Sequence, residues 1–484
     1  MIKKLLILSD LGLKRTRAGL IKNNGRAAGS LHIAAVARSL GVDATNLDYW
    51  REWPLELLKT SILKWFSDSD GIWLALSGSI DGSSTEDFKS LVLELKKDIP
   101  HLKVILGGYR VVVGDSSWVD VSFVGRSTNI FSEWIQGEDI SKYVFATDPL
   151  TLKNPPTKIL ENPVCPVPIE TDFWQSGEFF TIELALGCKF NCSFCGYDFR
   201  NNKNPMLATK EAVVESLETA YNKFGMTNFI LADDTINEVD SKLLLLSDVV
   251  KDLSFKPSFM AFVRLDVLAA QQHQIELLKA SRINTMFFGI ESLNPSVTKM
   301  IRKGGRSEKN LDTLRLLKQK YPEAFTYANF IIGLTGDSEE SIWHYNHIIA
   351  NEQLLTSAGC NPLRLYRDLS NKDIMSDIDL NPEKFGYTPL DDTQEWKELG
   401  YSSSSWENDW TNLSAASKLS TKVDRFFAKN LTSVYTAHEI AGLQALNLNM
   451  SIPNYNNMLP VLNRKRDTIV KKYIKEKSGW LQGF

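Results

Sequence analysis

The chain of 484 residues is short of three things: long apolar runs, histidine and net charge. Each shortage excludes something. A helix that crosses a bilayer needs roughly 18 consecutive apolar residues, and no stretch approaches that. The first apolar run, Leu5 to Leu8, stops at Ser9 and Asp10, too soon for the core of a secretory signal. A soluble, cytoplasmic protein with no membrane partner is therefore expected. A net charge of −3 gives no general attraction to polyanions, so nucleic acid is not an expected partner. The six histidines stand in no motif, and no internal repeat is visible. What remains is a globular balance of 43% apolar and 23% charged residues, on a chain long enough for two or three domains.

Strand-like and helix-like segments alternate over the first 148 residues: Lys4 to Leu8, Ser30 to Leu40, Ala44 to Leu47, Gly71 to Leu76, Thr85 to Lys97, Val104 to Gly108 and Val119 to Val124. That order predicts a doubly wound, Rossmann-like parallel sheet. Ligands on such sheets sit at the carboxyl ends of strands, here the Gly-, Ser- and Asp-rich segments 9–29, 77–84, 107–117 and 125–129. Prolines then crowd 149–175, which reads as a linker. A second alternating series over 176–370 predicts six β/α units, the last strand near Leu363 to Tyr366, and hence a partial (β/α)6 barrel. Residues 371–484 read as a mostly helical substrate or lid region. Trp396, Trp406 and Trp410 there suit either recognition at the barrel mouth or packing of a small core. The basic stretch Asn463 to Lys477 reads first as a solvated helix face.

Five cysteines, an odd number with three inside eight positions, suit metal or redox ligation better than disulfides. The segment is Gly187-Cys188-Lys189-Phe190-Asn191-Cys192-Ser193-Phe194-Cys195-Gly196-Tyr197, placed after the first strand of the second series. A structural zinc site is normally closed by four ligands, and a cubane used only for electron transfer by four cysteines. Three thiolates leave one iron open to a small molecule. The alternative is a zinc site completed by a distant histidine such as His273, in a non-catalytic metal-binding or sensor protein. Cys165, among prolines, reads as a bystander.

This CxxxCxxC segment, with an aromatic before its last cysteine, resembles the radical S-adenosylmethionine (SAM) superfamily. The resemblance implies that Cys188, Cys192 and Cys195 bind a [4Fe-4S] cluster whose fourth iron chelates SAM. Reductive cleavage of SAM then yields a 5'-deoxyadenosyl radical, with an electron donor such as flavodoxin or ferredoxin. It also implies SAM contacts at Phe194, Tyr197, Asp233, Asp234, Arg264, Glu291, Ser292, Ile332 and Gly333. Plainer readings stand beside several of these: loop capping for Asp233 and Asp234, and an ion pair with Asp266 for Arg264. Glu291 is the strongest, because a carboxylate closing an apolar strand is costly to bury unpaired.

A doubly wound domain ahead of such a barrel resembles the cobalamin-binding subgroup of that superfamily, with Ser77, Gly107, Gly108 and Gly125 as candidate contacts. There is no DxHxxG segment, and Gly125-Arg126-Ser127-Thr128 replaces the subgroup's acidic turn. Cobalamin binding stays open at this point. With cobalamin, the implied reaction is radical methylation of an unactivated carbon in a small-molecule or peptide substrate. Without it, an epimerase or other hydrogen-abstracting enzyme is implied, with Cys360 as the catalytic hydrogen donor; a buried structural thiol is the default for that residue.

Overall fold

The computed structural model describes residues 2–11, 13–16, 19–67, 70–77, 85–108, 117–153, 163–196, 205–366, 375–390, 404–448 and 455–483, with the side chains of 13–21 and 455–457 left aside. The first sheet contains β1 (Lys4–Ser9), β2 (Asp43–Asp48), β3 (Ile72–Ser77), β4 (Lys103–Gly108), β5 (Val121–Val124), β6 (Val144–Thr147) and β7 (Leu150–Lys153), in the order β2-β1-β3-β4-β5-β7-β6. The first five strands are parallel in the flavodoxin-like order 2-1-3-4-5. Both faces are covered. Leu6, Leu8, Leu74 and Leu76 pack under the helices Leu55–Phe66 and Thr85–Asp98, while Leu5, Ile7 and Ala75 pack under Ala28–Ser39 and Thr128–Gln136. Burial on both sides explains why these strands read as near-continuous apolar runs. The strand order reverses between β1 and β3, so the ligand crevice of this topology opens at Ser9 and Ser77.

The second sheet curls as a six-stranded partial barrel: β8 (Phe180–Ile182), β9 (Asn228–Leu231), β10 (Ser258–Val263), β11 (Ile283–Glu291), β12 (Phe325–Ile332) and β13 (Ser357–Pro362), all parallel. Alternation divides its side chains between two cores. Ile182, Leu231, Val263, Phe288, Phe330 and Ala358 join the helix-covered core. Ile230, Met260 and Tyr327 pack instead with the helix Ala437–Ala445, against the opposite, inner face.

Three expectations change. The first sheet continues to Lys153, so residues 150–153 of the expected linker are a strand. The sixth barrel strand is Ser357–Pro362 rather than Leu363 to Tyr366. Its small residues, Ser357, Ala358, Gly359 and Cys360, let the helix Leu413–Asn430 lie close against it, where Ser420 and Asp424 bond the Cys360 backbone. Finally, the described C-terminal helices pack against both earlier domains. Leu413–Asn430 packs outside the barrel, Ala437–Ala445 inside it, and Tyr455–Gln482 returns to the first sheet.

That return seals a polar junction. Arg26, with no exposed side-chain surface, pairs with Asp48 at the end of β2 (3.1 Å) and with Glu178 before β8 (2.8 Å). It also donates to the Asp172 and Phe173 carbonyls and lies over the Trp174 and Tyr473 rings. Two members of the basic stretch are buried here. Arg466 pairs with Glu52 and donates to the Asn23 carbonyl, and Lys477 donates to Thr45 Oγ1 and the Thr171 carbonyl.

Burial pushes the Lys477 ammonium down to about 7, against the opposing pull of Asp172 and Asp48. An unfolded lysine titrates near ~10.4. Between these values the unfolded chain binds a proton that the fold does not, so stability rises with pH across that window and this contribution is flat below it. Denaturant midpoints measured from pH 7 to 10 are expected to carry this slope in the parent and to lose it in Lys477→Met. An equal slope in both proteins would remove Lys477 as its source.

Candidate functional site

After β8 the chain passes through Glu183 and Leu184 into the short pair Ala185–Leu186 with Met206–Leu207, then turns at Gly187, whose φ of 103° suits glycine. The cysteine loop follows, pinned from several sides. Lys189 N–H donates to Glu238 Oε2 (2.7 Å), Ser193 N–H to the Ile301 carbonyl (3.1 Å), Cys195 N–H to the Cys192 carbonyl (3.1 Å) and Ile378 N–H to the Ser193 carbonyl (3.0 Å). None of the five cysteines is in a disulfide.

The thiols differ in surroundings. Cys192 is buried, and Arg264 Nη1–H donates to its sulfur at 3.0 Å. Cys188 Sγ lies 3.8 Å from Thr235 Oγ1, and burial pushes its thiol above the ordinary value. Among the described residues, no three His, Cys, Asp or Glu side chains gather around one ion-sized point. A cluster offers a separate iron to each thiolate and does not need that convergence. Three thiols on one pinned loop, one under a guanidinium, therefore suit a cubane with an open iron. His273, the histidine considered for a zinc site, instead bonds Asp240 at 2.7 Å on the surface.

The expected SAM contacts separate into groups. Glu291 ends β11 with a positive φ of 64°, beside a register shift, and pairs with Lys303 at 3.0 Å. Gly289 makes room for this pair, since a Cβ there would stand 2.6 Å from Glu291 Oε1. The Phe194 ring lies next to it, 5.7 Å from Lys303 Nζ. Arg264 forks onto Asp266 (3.0 and 2.6 Å) and stacks over Phe190 (3.7 Å). Asp234 is exposed at the end of β9. Tyr197 lies outside the described residues.

Four further expected contacts have protein partners of their own. Asp233 is fully buried, accepting from Leu184 N–H (2.8 Å) beside Lys242 (3.5 Å), and burial lifts its carboxyl to about 6. It anchors the strand feeding the cysteine loop. Ser292 donates to Asp337 (3.2 Å) and accepts from Asn294 N–H (3.0 Å). Ile332 lies in the helix-covered core. The close approach at Gly333 (φ 99°) is to Trp406, whose ring would be 2.3 Å from an added Cβ. Tyr387 and Asn408 also donate to the Gly333 carbonyl. Trp406 is thus packing, and Trp410 bonds the Leu334 carbonyl; Trp396 is outside the described residues.

Strand alternation gives no support to the catalytic role considered for Cys360. Register with Phe330 puts it on the helix-covered face, buried with Ala358, Phe330 and Phe427 rather than on the inner face.

Other site residues carried no motif. Lys242, wholly buried, joins Glu238 (2.6 Å) and Asp233 behind the loop; a lysine in an apolar helix was the one clue. Arg126, in the turn where the acidic motif is missing, makes a two-pronged pair with Glu183 (2.8 and 2.6 Å). This joins the end of the first sheet to the strand entering the cysteine loop. His32 lies beside that pair, and burial lowers its imidazole to about 4. Of the residues considered for the first domain, Ser77 ends β3 and faces Gly29, an added Cβ at Gly107 would stand 3.9 Å from the Leu76 carbonyl oxygen, and Gly125 N–H donates to the Gly108 carbonyl. Residues 78–84 and 109–116 of those loops lie outside the described residues.

Residues 182–347 match the Radical SAM superfamily model. The chain is 25% identical over 164 residues to an uncharacterized methyltransferase of Pyrococcus horikoshii, covering 34% of this chain and 35% of that protein. It is 24% identical over 189 residues to an anaerobic magnesium-protoporphyrin IX monomethyl ester cyclase of Cereibacter sphaeroides, covering 37% and 30%. The chain thus spans about a third of the length of these curated relatives. In fold it is similar to the radical SAM methyltransferase TsrM of Kitasatospora setae, solved with tryptophan substrate and a SAM analogue (TM-score 0.58, 13% identity, 81% of this chain and 79% of that one). It is similar also to the cobalamin-dependent radical SAM enzyme OxsB, solved with aqua-cobalamin (TM-score 0.57, 12% identity, 98% and 80%).

Two substitutions follow from the packing. Cys360→Ala is expected to keep SAM cleavage and to cost on the order of 1 kcal/mol of stability; loss of turnover in a folded protein would restore the thiol as a reactant. Gly333→Val is expected to lower the unfolding free energy by about 2 kcal/mol or more through overpacking and backbone strain. An unchanged denaturation curve would contradict the contact with Trp406.

Proposed function

For a chain whose residues 182–347 match the Radical SAM superfamily model, we propose a cobalamin-using radical SAM methyltransferase acting on a carbon of a small-molecule or peptide substrate. The observation that carries this reading is the Arg126–Glu183 pair, which sets the carboxyl edge of a flavodoxin-like sheet against the strand that enters the cysteine loop. A ligand in that crevice would border the cluster site. The fold likeness to two radical SAM proteins, one of them solved with cobalamin, supports it.

In this reading Cys188, Cys192 and Cys195 hold a [4Fe-4S] cluster, and its open iron takes SAM. Cluster and SAM supply reductive cleavage, and cobalamin supplies methyl transfer; the protein binds, orients and shields them. Glu291 and Lys303 present a buried carboxylate and ammonium for the polar groups of SAM, with Phe194 as a dry wall. Ser77, Gly107, Gly108 and Gly125 stand at the carboxyl edge of the first sheet, beside the crevice that would take cobalamin. Arg126 and Glu183 neutralise each other at the edge of that crevice. A flavodoxin or ferredoxin would deliver the electron. The position of Cys360 gives no support to hydrogen donation in an epimerisation.

Anaerobic expression with cobalamin, followed by cluster reconstitution and addition of SAM and reductant, tests the reading. Expected are about four irons per chain, a corrinoid absorption spectrum and S-adenosylhomocysteine, with iron lost in Cys192→Ala. Cluster-bearing protein that binds no corrinoid and forms no S-adenosylhomocysteine would reject cobalamin-dependent methylation.

A further inference from the structure

Arg264 closes β10, where the superfamily resemblance points to a SAM contact, yet its guanidinium is already committed. Nε and Nη2 fork onto Asp266 (3.0 and 2.6 Å), and the plane lies 3.7 Å above the Phe190 ring. These contacts aim Nη1–H at Cys192 Sγ, 3.0 Å away. Side-chain exposure of 7% for Arg264 and 9% for Asp266 keeps water from competing. Asn237 fixes the backbone as well, accepting from Arg264 N–H (2.8 Å) and donating to its carbonyl (3.0 Å). A guanidinium held by a carboxylate and an aromatic face, on a backbone fixed by two amide bonds, has little freedom to swing toward another ligand.

We propose that Arg264 is a positioning residue for the cluster: a fixed N–H···S donor to the Cys192 thiolate that raises the cluster's reduction potential. The inference rests on the reading of Cys192 as a cluster ligand. Reduction adds negative charge that spreads onto the ligating sulfurs. A cation-borne donor at one of them stabilises the reduced form more than the oxidised form, and hydrogen bonds to sulfur are among the determinants of cluster potential. Asp266 supports the effect at one remove, by orienting the fork and keeping the arginine charged. Phe190, next to the loop cysteines, excludes solvent from the same bond. A lysine could keep the charge but could not fork onto Asp266 and reach sulfur together.

The test is a redox titration of the reconstituted protein, followed by the electron paramagnetic resonance signal of the reduced cluster, with SAM affinity measured in parallel. Arg264→Gln is expected to lower the reduction equilibrium by tenfold or more, ~59 mV for one electron, and Arg264→Lys to recover part of it. Asp266→Asn, which leaves the arginine but frees its orientation, is expected to lower the potential by a smaller amount. If Arg264→Gln fails to retain a cluster, the Lys and Asn variants decide the matter alone. A parental potential in the cluster-bearing variants would overturn the proposal, as would weakened SAM binding at unchanged potential, which would return Arg264 to the SAM carboxylate. Failure of the parent protein to bind a cluster at all would instead refute the role of the cysteine loop.

Discussion

A buried guanidinium holds this molecule together. Arg26 meets carboxylates from the first sheet and from the entry to the barrel, carbonyls from the segment between them, and a tyrosine ring from the last helix. Charges without access to water are tolerated only when paired and fully bonded. Four distant parts of the chain must therefore be in place together before this arginine is satisfied. That requirement fixes where the carboxyl edge of the first sheet stands relative to the barrel, and so where any ligand of one domain would meet the cofactors of the other.

The same device recurs nearer the chemistry. Arg126 with Glu183, Lys242 with Glu238 and Asp233, Lys303 with Glu291, and Arg264 with Asp266 are all partly or wholly buried pairs around the cysteine loop or its feeding strands. Such pairs contribute little net stability against apolar packing, but breaking one strands a charge, and in some systems they serve conformational specificity. Here they hold a loop that has no regular structure of its own. The positive φ of Glu291 is stabilised by that surrounding network rather than by any local preference.

The described C-terminal helices pack on both domains. Leu413–Asn430 fills the outside of the sixth strand, Ala437–Ala445 packs on the inner barrel face, and Tyr455–Gln482 covers the first sheet. Trp406 and Trp410 belong to this packing, with Trp406 pressed against Gly333. A glycine that the family resemblance assigns to SAM is thus also the point where Trp406 meets the barrel.

Local pattern was enough for the alternation of strands and helices, the doubly wound sheet, the six-unit barrel and the three-cysteine loop, because periodicity and ligand spacing are properties of neighbouring residues. It was also enough to single out Glu291, since a carboxylate at the end of an apolar strand must find a partner. It could not say that the partner is Lys303, that Arg264 points at Cys192, or that Arg126 reaches Glu183, because those pairs form between elements brought together by the sheet. Nor could it tell which face Cys360 occupies. Placing the sixth strand six residues too late loses the register that turns this thiol toward the helices, and strand register is settled by the neighbouring strand and the helix packed on it.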